Sequence, residues 1–141
     1  MAKALAEISG IGDTYALFGT LGVGKSVFAR AFIQKLTKAK EVPSPTFTLV
    51  QTYDAGDFEI YHYDLYRLKS QEEIWELNIE EALFGALTLI EWPEKMGSYL
   101  PWDIFKVYIT VSDDGARLFE IKTNSDEKES RLKKLGIFDE A

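Results

Sequence analysis

Cysteine is absent from the 141 residues, which excludes disulfides and thiolate-held metal sites. Histidine occurs once, at His62, so no imidazole cluster is available to hold a metal. Basic residues are scarce too. Sixteen Lys and Arg stand against 23 Asp and Glu, a net charge of −7 and a pI near 4.8. A broad contact with a nucleic-acid backbone needs clustered positive charge, so any link to RNA is expected to run through a partner protein. No apolar run approaches the roughly 18 residues of a membrane span, and the N-terminus lacks the charged-then-apolar layout of a secretory signal. The expectation is a soluble, unprocessed chain with no membrane contact. What is present is a 46% hydrophobic complement, enough for one substantial core, and residues 1–141 read as one domain.

The stretch around which the chain is organised is Gly19-Thr20-Leu21-Gly22-Val23-Gly24-Lys25-Ser26. It follows a short apolar run at 15–18 and opens an apolar-periodic segment, and it matches the phosphate-binding pattern G-x-x-x-x-G-K-[ST]. The glycines let successive backbone N–H groups converge on a phosphate, and the helix that follows turns its positive end toward the same anion. Lys25 then reaches the β- and γ-phosphates, and Ser26 offers the short hydroxyl that ligates Mg²⁺.

Along the rest of the chain, residues 2–8 predict a short helix ended by Ser9-Gly10-Ile11-Gly12-Asp13. From Lys25 the spacing of Val27, Phe28, Ala31, Phe32 and Leu36 predicts an amphipathic helix of three to four turns. Pro43 and Pro45 force extended backbone on an ordered loop at 39–48. Strands at 48–53 and 58–63 joined by Asp54-Ala55-Gly56-Asp57 make a hairpin. A short helix or pair of helices fills 71–84, and the almost wholly apolar run 86–90 is a strand buried on both faces that ends in Glu91. A short helix from Pro93, strands at 104–111 and 117–123, and a charged surface helix at 126–134 complete the chain. An antiparallel hairpin among parallel strands predicts an α/β, three-layer domain with a mixed parallel and antiparallel central sheet.

A phosphate loop alone hydrolyses nothing; a metal-orienting acid and a group that positions the attacking water are also required. Three stretches compete for these roles. In Tyr61-His62-Tyr63-Asp64-Leu65-Tyr66-Arg67, Asp64 stands at a strand end and shares a face with His62. Asp64 is either a metal-shell acid or a turn residue, and His62 either a hydrogen-bonded structural histidine or a group near the phosphate. Tyr66 reads as packing, and Arg67 as a surface or carboxylate-paired residue. In Leu89-Ile90-Glu91-Trp92-Pro93, a buried strand delivers Glu91 to the same end of the sheet, as a Walker B strand does. Glu91 there polarises water or holds the Mg²⁺ shell, or else pairs structurally with an arginine. Trp92 is a lid over the nucleotide or a core or interface aromatic. In Ser44-Pro45-Thr46-Phe47, a stiff loop places Thr46 as a switch that senses a γ-phosphate, or merely packs Phe47. Trp75, Trp102 and Phe105 are expected mainly in the core.

These four pieces in this order, Gly-x-Leu-Gly-x-Gly-Lys-Ser, Ser-Pro-Thr-Phe-Thr-Leu-Val, His-x-Asp-Leu-Tyr-Arg-Leu and Ile-Glu-Trp-Pro-Glu, resemble the TsaE family over residues 15–111. The family comprises small bacterial P-loop ATPases that assist threonylcarbamoyladenosine modification at position 37 of tRNA. The resemblance implies a P-loop NTPase-like fold and a cytoplasmic, Mg²⁺-dependent ATPase, weak alone, that joins the proteins TsaD and TsaB and keeps them turning over. It implies phosphate roles for Gly19 to Lys25, metal roles for Ser26, Asp64 and Glu91, a switch role for Thr46, and catalytic or lid-side roles for Glu91 and Trp92. The chain departs from the family at Thr20, where an Asp is usual, and in its short segment before the loop.

The absence of an Asn-Lys-x-Asp guanine-reading motif favours ATP over GTP. Two rival readings keep the same loop. A small-molecule kinase needs an acceptor pocket and a lid of arginines, and the C-terminal half offers only Arg117 and Arg131. A nucleotide-dependent binding module uses ATP only to order the 44–47 loop.

Overall fold

The computed structural model describes residues 1–20 and 24–135. Six strands form one sheet: β1 (Thr14–Phe18), β2 (Val50–Asp54), β3 (Glu59–Asp64), β4 (Leu87–Glu91), β5 (Phe105–Val111) and β6 (Arg117–Thr123). Their order is β2-β3-β4-β1-β5-β6. The four central strands are parallel, whereas β2 and β6 close the two edges as antiparallel partners of β3 and β5. The sheet is therefore mixed, as the sequence predicts. The hairpin turn between β2 and β3 closes through the Ala55 amide on the Phe58 carbonyl at 2.9 Å. Gly56 takes φ 93° there, a conformation that costs a residue without Cβ little.

Side-chain alternation along the strands divides the core between two faces. Tyr15, Leu17, Leu87 and Leu89 pack with Leu5 of helix α1 (Ala2–Glu7) and with Phe28, Phe32 and Ile33 of helix α2 (Lys25–Leu36). Tyr63 and Ile90 face the other way, onto Ile79 and Ala82 of helix α3 (Ile79–Gly85), Ile74 of the 3₁₀ segment Gln71–Leu77, and Met96 of the 3₁₀ segment Pro93–Tyr99. Tyr15 is wedged between Phe105, stacked at 4.5 Å, and Phe32, edge-on at 5.0 Å. Helix α4 (Asp126–Lys133) buries only Leu132, as its charged composition requires. Arg131 fastens α4 to the first turn through two bonds to the buried Asp13 carboxylate, at 2.6 and 2.7 Å.

Local details differ from expectation at two places. The α2 face that enters the core is Phe28, Ala29, Phe32 and Ile33, while Val27 points outward and is 55% exposed. The aromatics Trp75 and Trp102 lie largely outside the core, 48% and 67% exposed, and only Phe105 of the three is buried. At 71–84 the expected pair of helices forms, divided at Asn78, which adopts φ 57° between the 3₁₀ segment and α3. Among the described residues, no helix is long and apolar enough to cross a membrane.

Candidate functional site

Parallel pairing sends the C-terminal ends of β1, β3 and β4 to one edge of the sheet, and the candidate residues collect there. Glu91 pairs in register with Leu17 on one side and Asp64 on the other, which sets the two carboxylates side by side. Beyond β1 come Gly19 and Thr20, and the chain enters α2 at Gly24, whose φ of 106° turns the backbone into the helix. Leu21, Gly22 and Val23, expected to cradle phosphate, lie outside the described residues.

Lys25 is nearly buried, 5% exposed, and donates from Nζ to the Gly19 carbonyl at 2.7 Å. Its ammonium also sits 3.3 Å from the centroid of the Trp92 ring, a cation–π contact across the mouth of the site. Burial pushes its pKa below the usual lysine value, and the charges of Glu94, Glu91 and Asp64 act against that fall. Ser26 donates from Oγ to Glu91 Oε1 at 3.0 Å. The other oxygen of Glu91 meets His62 Nε2 at 2.7 Å, both side chains being buried. His62 is thus hydrogen-bonded and structural, yet one bond from the candidate chemistry.

Asp64 belongs to a second cluster. Its Oδ2 accepts from Thr46 at 3.2 Å and Ser44 at 3.3 Å, and its Oδ1 from the Tyr66 amide at 3.1 Å. Backbone bonds fasten the loop that carries these hydroxyls: the Leu49 amide to the Pro45 carbonyl at 2.7 Å, and the Asp64 amide to the Leu49 carbonyl at 3.0 Å. Leu49 takes φ 70° to close it, a costly conformation for a branched side chain that packing must hold. Phe47 at the loop tip is 82% exposed, with the Arg67 guanidinium 4.6 Å from its ring. The loop therefore does not serve to bury Phe47. Arg67 and Tyr66 act as aromatic partners, Tyr66 lying 5.0 Å from the Trp92 ring.

Lys25, Ser26, Thr46, Asp64, Glu91 and Trp92 all line one cavity of about 310 Å³. Three further lining residues escaped sequence reasoning. Ser44 sits two positions before Thr46 in the same proline-stiffened loop and shares Asp64 Oδ2 with it. Val27 had been assigned to the helix core on spacing alone. Arg117 had no local signal at all. It opens β6, which runs antiparallel to β5, and Val111↔Arg117 pairing returns it to the edge of the sheet where β1 ends. There it packs so tightly on Gly24 that a Cβ at that position would lie 2.7 Å from its Nε. Thr20 is exposed beside the loop.

A larger cavity, about 730 Å³, opens between the β2–β3 hairpin and the end of α3. Asp54, Asp57, Glu59 and Glu81 line it, and that acidic wall repels phosphate. None of the motif residues reaches it, so size does not mark the site here.

Among the described residues, the donor set in the smaller cavity suits a hard cation: the hydroxyls of Ser26, Ser44 and Thr46 and two carboxylates, with no sulfur and no imidazole in the wall. Mg²⁺ keeps several waters and takes one or two carboxylates plus phosphate oxygens, which matches the two carboxylates of this wall.

The family model described as "Threonylcarbamoyl adenosine biosynthesis protein TsaE" matches residues 1–119. The tRNA threonylcarbamoyladenosine biosynthesis protein TsaE of Rickettsia felis is 48% identical over 128 residues, covering 90% of this chain and 75% of that protein. The protein of the same name from Bacillus subtilis is 33% identical over 118 residues, covering 83% of this chain and 73% of that protein. The crystal structure of Bacillus subtilis YdiB superposes with a TM-score of 0.76 at 25% identity, covering 96% of this chain and 84% of the other. With a family model spanning most of its length and relatives of this similarity, the chain belongs to the TsaE family of threonylcarbamoyladenosine biosynthesis proteins.

Proposed function

We propose that this chain is a P-loop ATPase that hydrolyses ATP with Mg²⁺ in the cytoplasm and supports threonylcarbamoyladenosine formation at position 37 of tRNA. The observation that carries the reading is the convergence of four stretches, around Lys25, Thr46, Asp64 and Glu91, on one cavity. Phosphoryl transfer asks a protein mainly for positioning and charge stabilisation, and each stretch supplies a part. Lys25 takes the β- and γ-phosphates, giving up its bond to Gly19 as it does so. Ser26, Asp64 and Glu91 are the residues that would hold Mg²⁺, which would neutralise phosphate charge. Glu91 takes a proton from the attacking water, and Thr46 leaves Asp64 to meet the γ-phosphate. Trp92, released as Lys25 leaves its ring, covers the nucleotide.

On this reading the 44–47 loop reports the state of the nucleotide, and turnover resets a TsaB–TsaD pair; the chain touches tRNA only through that pair. The net charge of −7 accords with such an indirect route. Phosphate release from ATP and Mg²⁺ is measured with and without a cognate TsaB–TsaD pair. Stimulation by the pair is the expected result. Failure of the wild-type chain to bind ATP overturns the reading, and transfer of phosphate to a metabolite replaces it with a small-molecule kinase.

A further inference from the structure

We infer that His62 is a positioning residue for Glu91: its ring holds one carboxylate oxygen so that the other stays on Ser26. The inference rests on the ATPase reading above and assigns the only histidine of the chain a part in it.

The geometry is that of a clamp. His62 Nε2 lies 2.7 Å from Glu91 Oε2, and Ser26 Oγ lies 3.0 Å from Glu91 Oε1. Carboxylate oxygens accept, so the assignment that satisfies both partners puts the ring proton on Nε2. Each Glu91 oxygen then has one donor, from opposite sides. The two donors come from different layers, His62 from the interior of β3 and Ser26 from the first turn of α2. His62 pairs in register with Leu89, two positions before the Asp64↔Glu91 pair, so it stands directly behind the carboxylates on the same face.

Two further observations separate a clamp from a histidine buried merely to fill space. His62 is 1% exposed, and its Nδ1 has no hydrogen-bond partner among the described residues. A ring placed for packing alone gains nothing from leaving a polar atom unsatisfied in the core, where Phe or Leu would avoid that cost. The single bond to Glu91 is what the imidazole provides there. Glu91 in turn needs it, because a glutamate carries three rotatable bonds and tethering at Oε1 alone leaves the carboxylate free to swing about Ser26. On the ATPase reading nucleotide affinity comes from Lys25 and the loop, and among the described residues the His62 ring bonds Glu91 instead. Its loss therefore falls on the rate of the chemical step.

The test compares wild type, His62→Leu and His62→Gln, all as the full chain, in steady-state ATP hydrolysis and in MgATP and MgADP binding. Glutamine carries an N–H near the position of Nε2 and leucine does not. His62→Leu is expected to lower kcat by about 10- to 100-fold, the usual effect of removing a group that orients a catalytic ligand, with KM within about threefold. His62→Gln is expected to recover most of that loss. Equal loss in both variants, a KM that rises as much as kcat falls, or unchanged kcat in His62→Leu overturns the inference. A wild-type chain that neither binds nor hydrolyses ATP removes the ATPase reading instead. The clamp is then decided by nitrogen-edited NMR of the ring: a protected Nε2–H resonance displaced in Glu91→Gln supports it, and one that Glu91→Gln leaves unmoved overturns it.

Discussion

Ser26 and Glu91, 65 positions apart in sequence, are joined by a 3.0 Å hydrogen bond across the junction of α2 and β4. The bond links the first turn of α2 to the tip of a buried strand, so on the proposed reading a metal held by Ser26 would have Glu91 beside it. Replacing Glu91 by Ala is expected to lower the rate of ATP hydrolysis by about 100-fold or more, as for a general base, while ATP affinity stays within a few-fold. Measuring Kd and kcat on the same preparation separates the two effects. Normal hydrolysis by Glu91→Ala rules out its role as the base.

Lys25 carries the complementary prediction. Its ammonium is already desolvated, but it leaves the Gly19 carbonyl and the Trp92 ring to reach phosphate, so only the surplus over those two contacts appears as affinity. Loss of a charge-assisted bond of about 1.5–3 kcal/mol corresponds to roughly 10- to 100-fold weaker ATP binding in Lys25→Ala. Calorimetric titration with MgATP checks it, and a thermal melt verifies that the variant is folded. Wild-type affinity in a folded Lys25→Ala chain defeats the phosphate role.

The contact between Lys25 and Trp92 makes the indole a reporter. When phosphate draws the ammonium off the ring, now 3.3 Å from its centroid, the emission of Trp92 changes. Trp75 and Trp102 are exposed and outside the cavity, so Trp75→Phe/Trp102→Phe leaves one signal at little cost to the core. Titration of that variant with ATP is expected to give a saturable change in intensity or wavelength. An unaltered spectrum at saturation, with binding shown independently, means that the pair does not separate.

Much of this arrangement was legible in the chain because its signals are local. The order of helices and strands follows from apolar periodicity and turn chemistry, and the antiparallel hairpin at 50–64 is written in Asp54-Ala55-Gly56-Asp57. Asp64 and Glu91 each stand where a strand pattern stops, and Lys25 where a glycine-rich turn gives way to a helical period, which is how a strand end or loop advertises itself. What escaped depends on register across the sheet. Arg117 reaches Gly24 only because β6 doubles back beside β5, and the His62 bond to Glu91 needs the β3–β4 pairing. Helix-face assignment failed at Val27 for a related reason. A helix that opens on a ligand site spends its first turn on that site, so the apolar stripe enters the core later, at Phe28, Ala29 and Phe32.

Arg131 is far from the cavity, and its prediction concerns stability. Its guanidinium binds the Asp13 carboxylate, the Ile8 carbonyl at 2.9 Å and Glu127, drawing α4 onto the turn before β1. Asp13 is only 4% exposed, so removing the arginine leaves a buried carboxylate supported chiefly by the Gly10 amide at 2.9 Å. Because Arg131 itself is partly in solvent, the expected loss in Arg131→Ala is about 2–3 kcal/mol, at or just below the range for breaking a fully buried pair. Urea unfolding measures it. The double variant Arg131→Ala/Asp13→Asn is expected to recover part of the loss, and no recovery means that the uncompensated charge is not its cause.

Two buried phenols are expected to set the alkaline limit of the fold. Burial pushes Tyr15 and Tyr63 above the usual value of 10.0, although the Ser9 hydroxyl acts the other way on Tyr15. For an acid whose folded pKa is raised, the unfolded chain releases its proton first, so the folded state is favoured fully below the unfolded value. That stability is lost as pH rises through and beyond it. Unfolding midpoints are therefore expected to be insensitive to these groups up to about pH 10 and to fall above it. Tyr15→Phe/Tyr63→Phe is expected to start from a lower midpoint at neutral pH, because Tyr63 gives up its 2.7 Å bond to the Leu77 carbonyl, yet to fall less steeply in alkali. The slope above pH 10 is the decisive quantity, since lysines titrate in the same range in both proteins. A double variant that loses stability as steeply as wild type shows that the phenols do not set the limit.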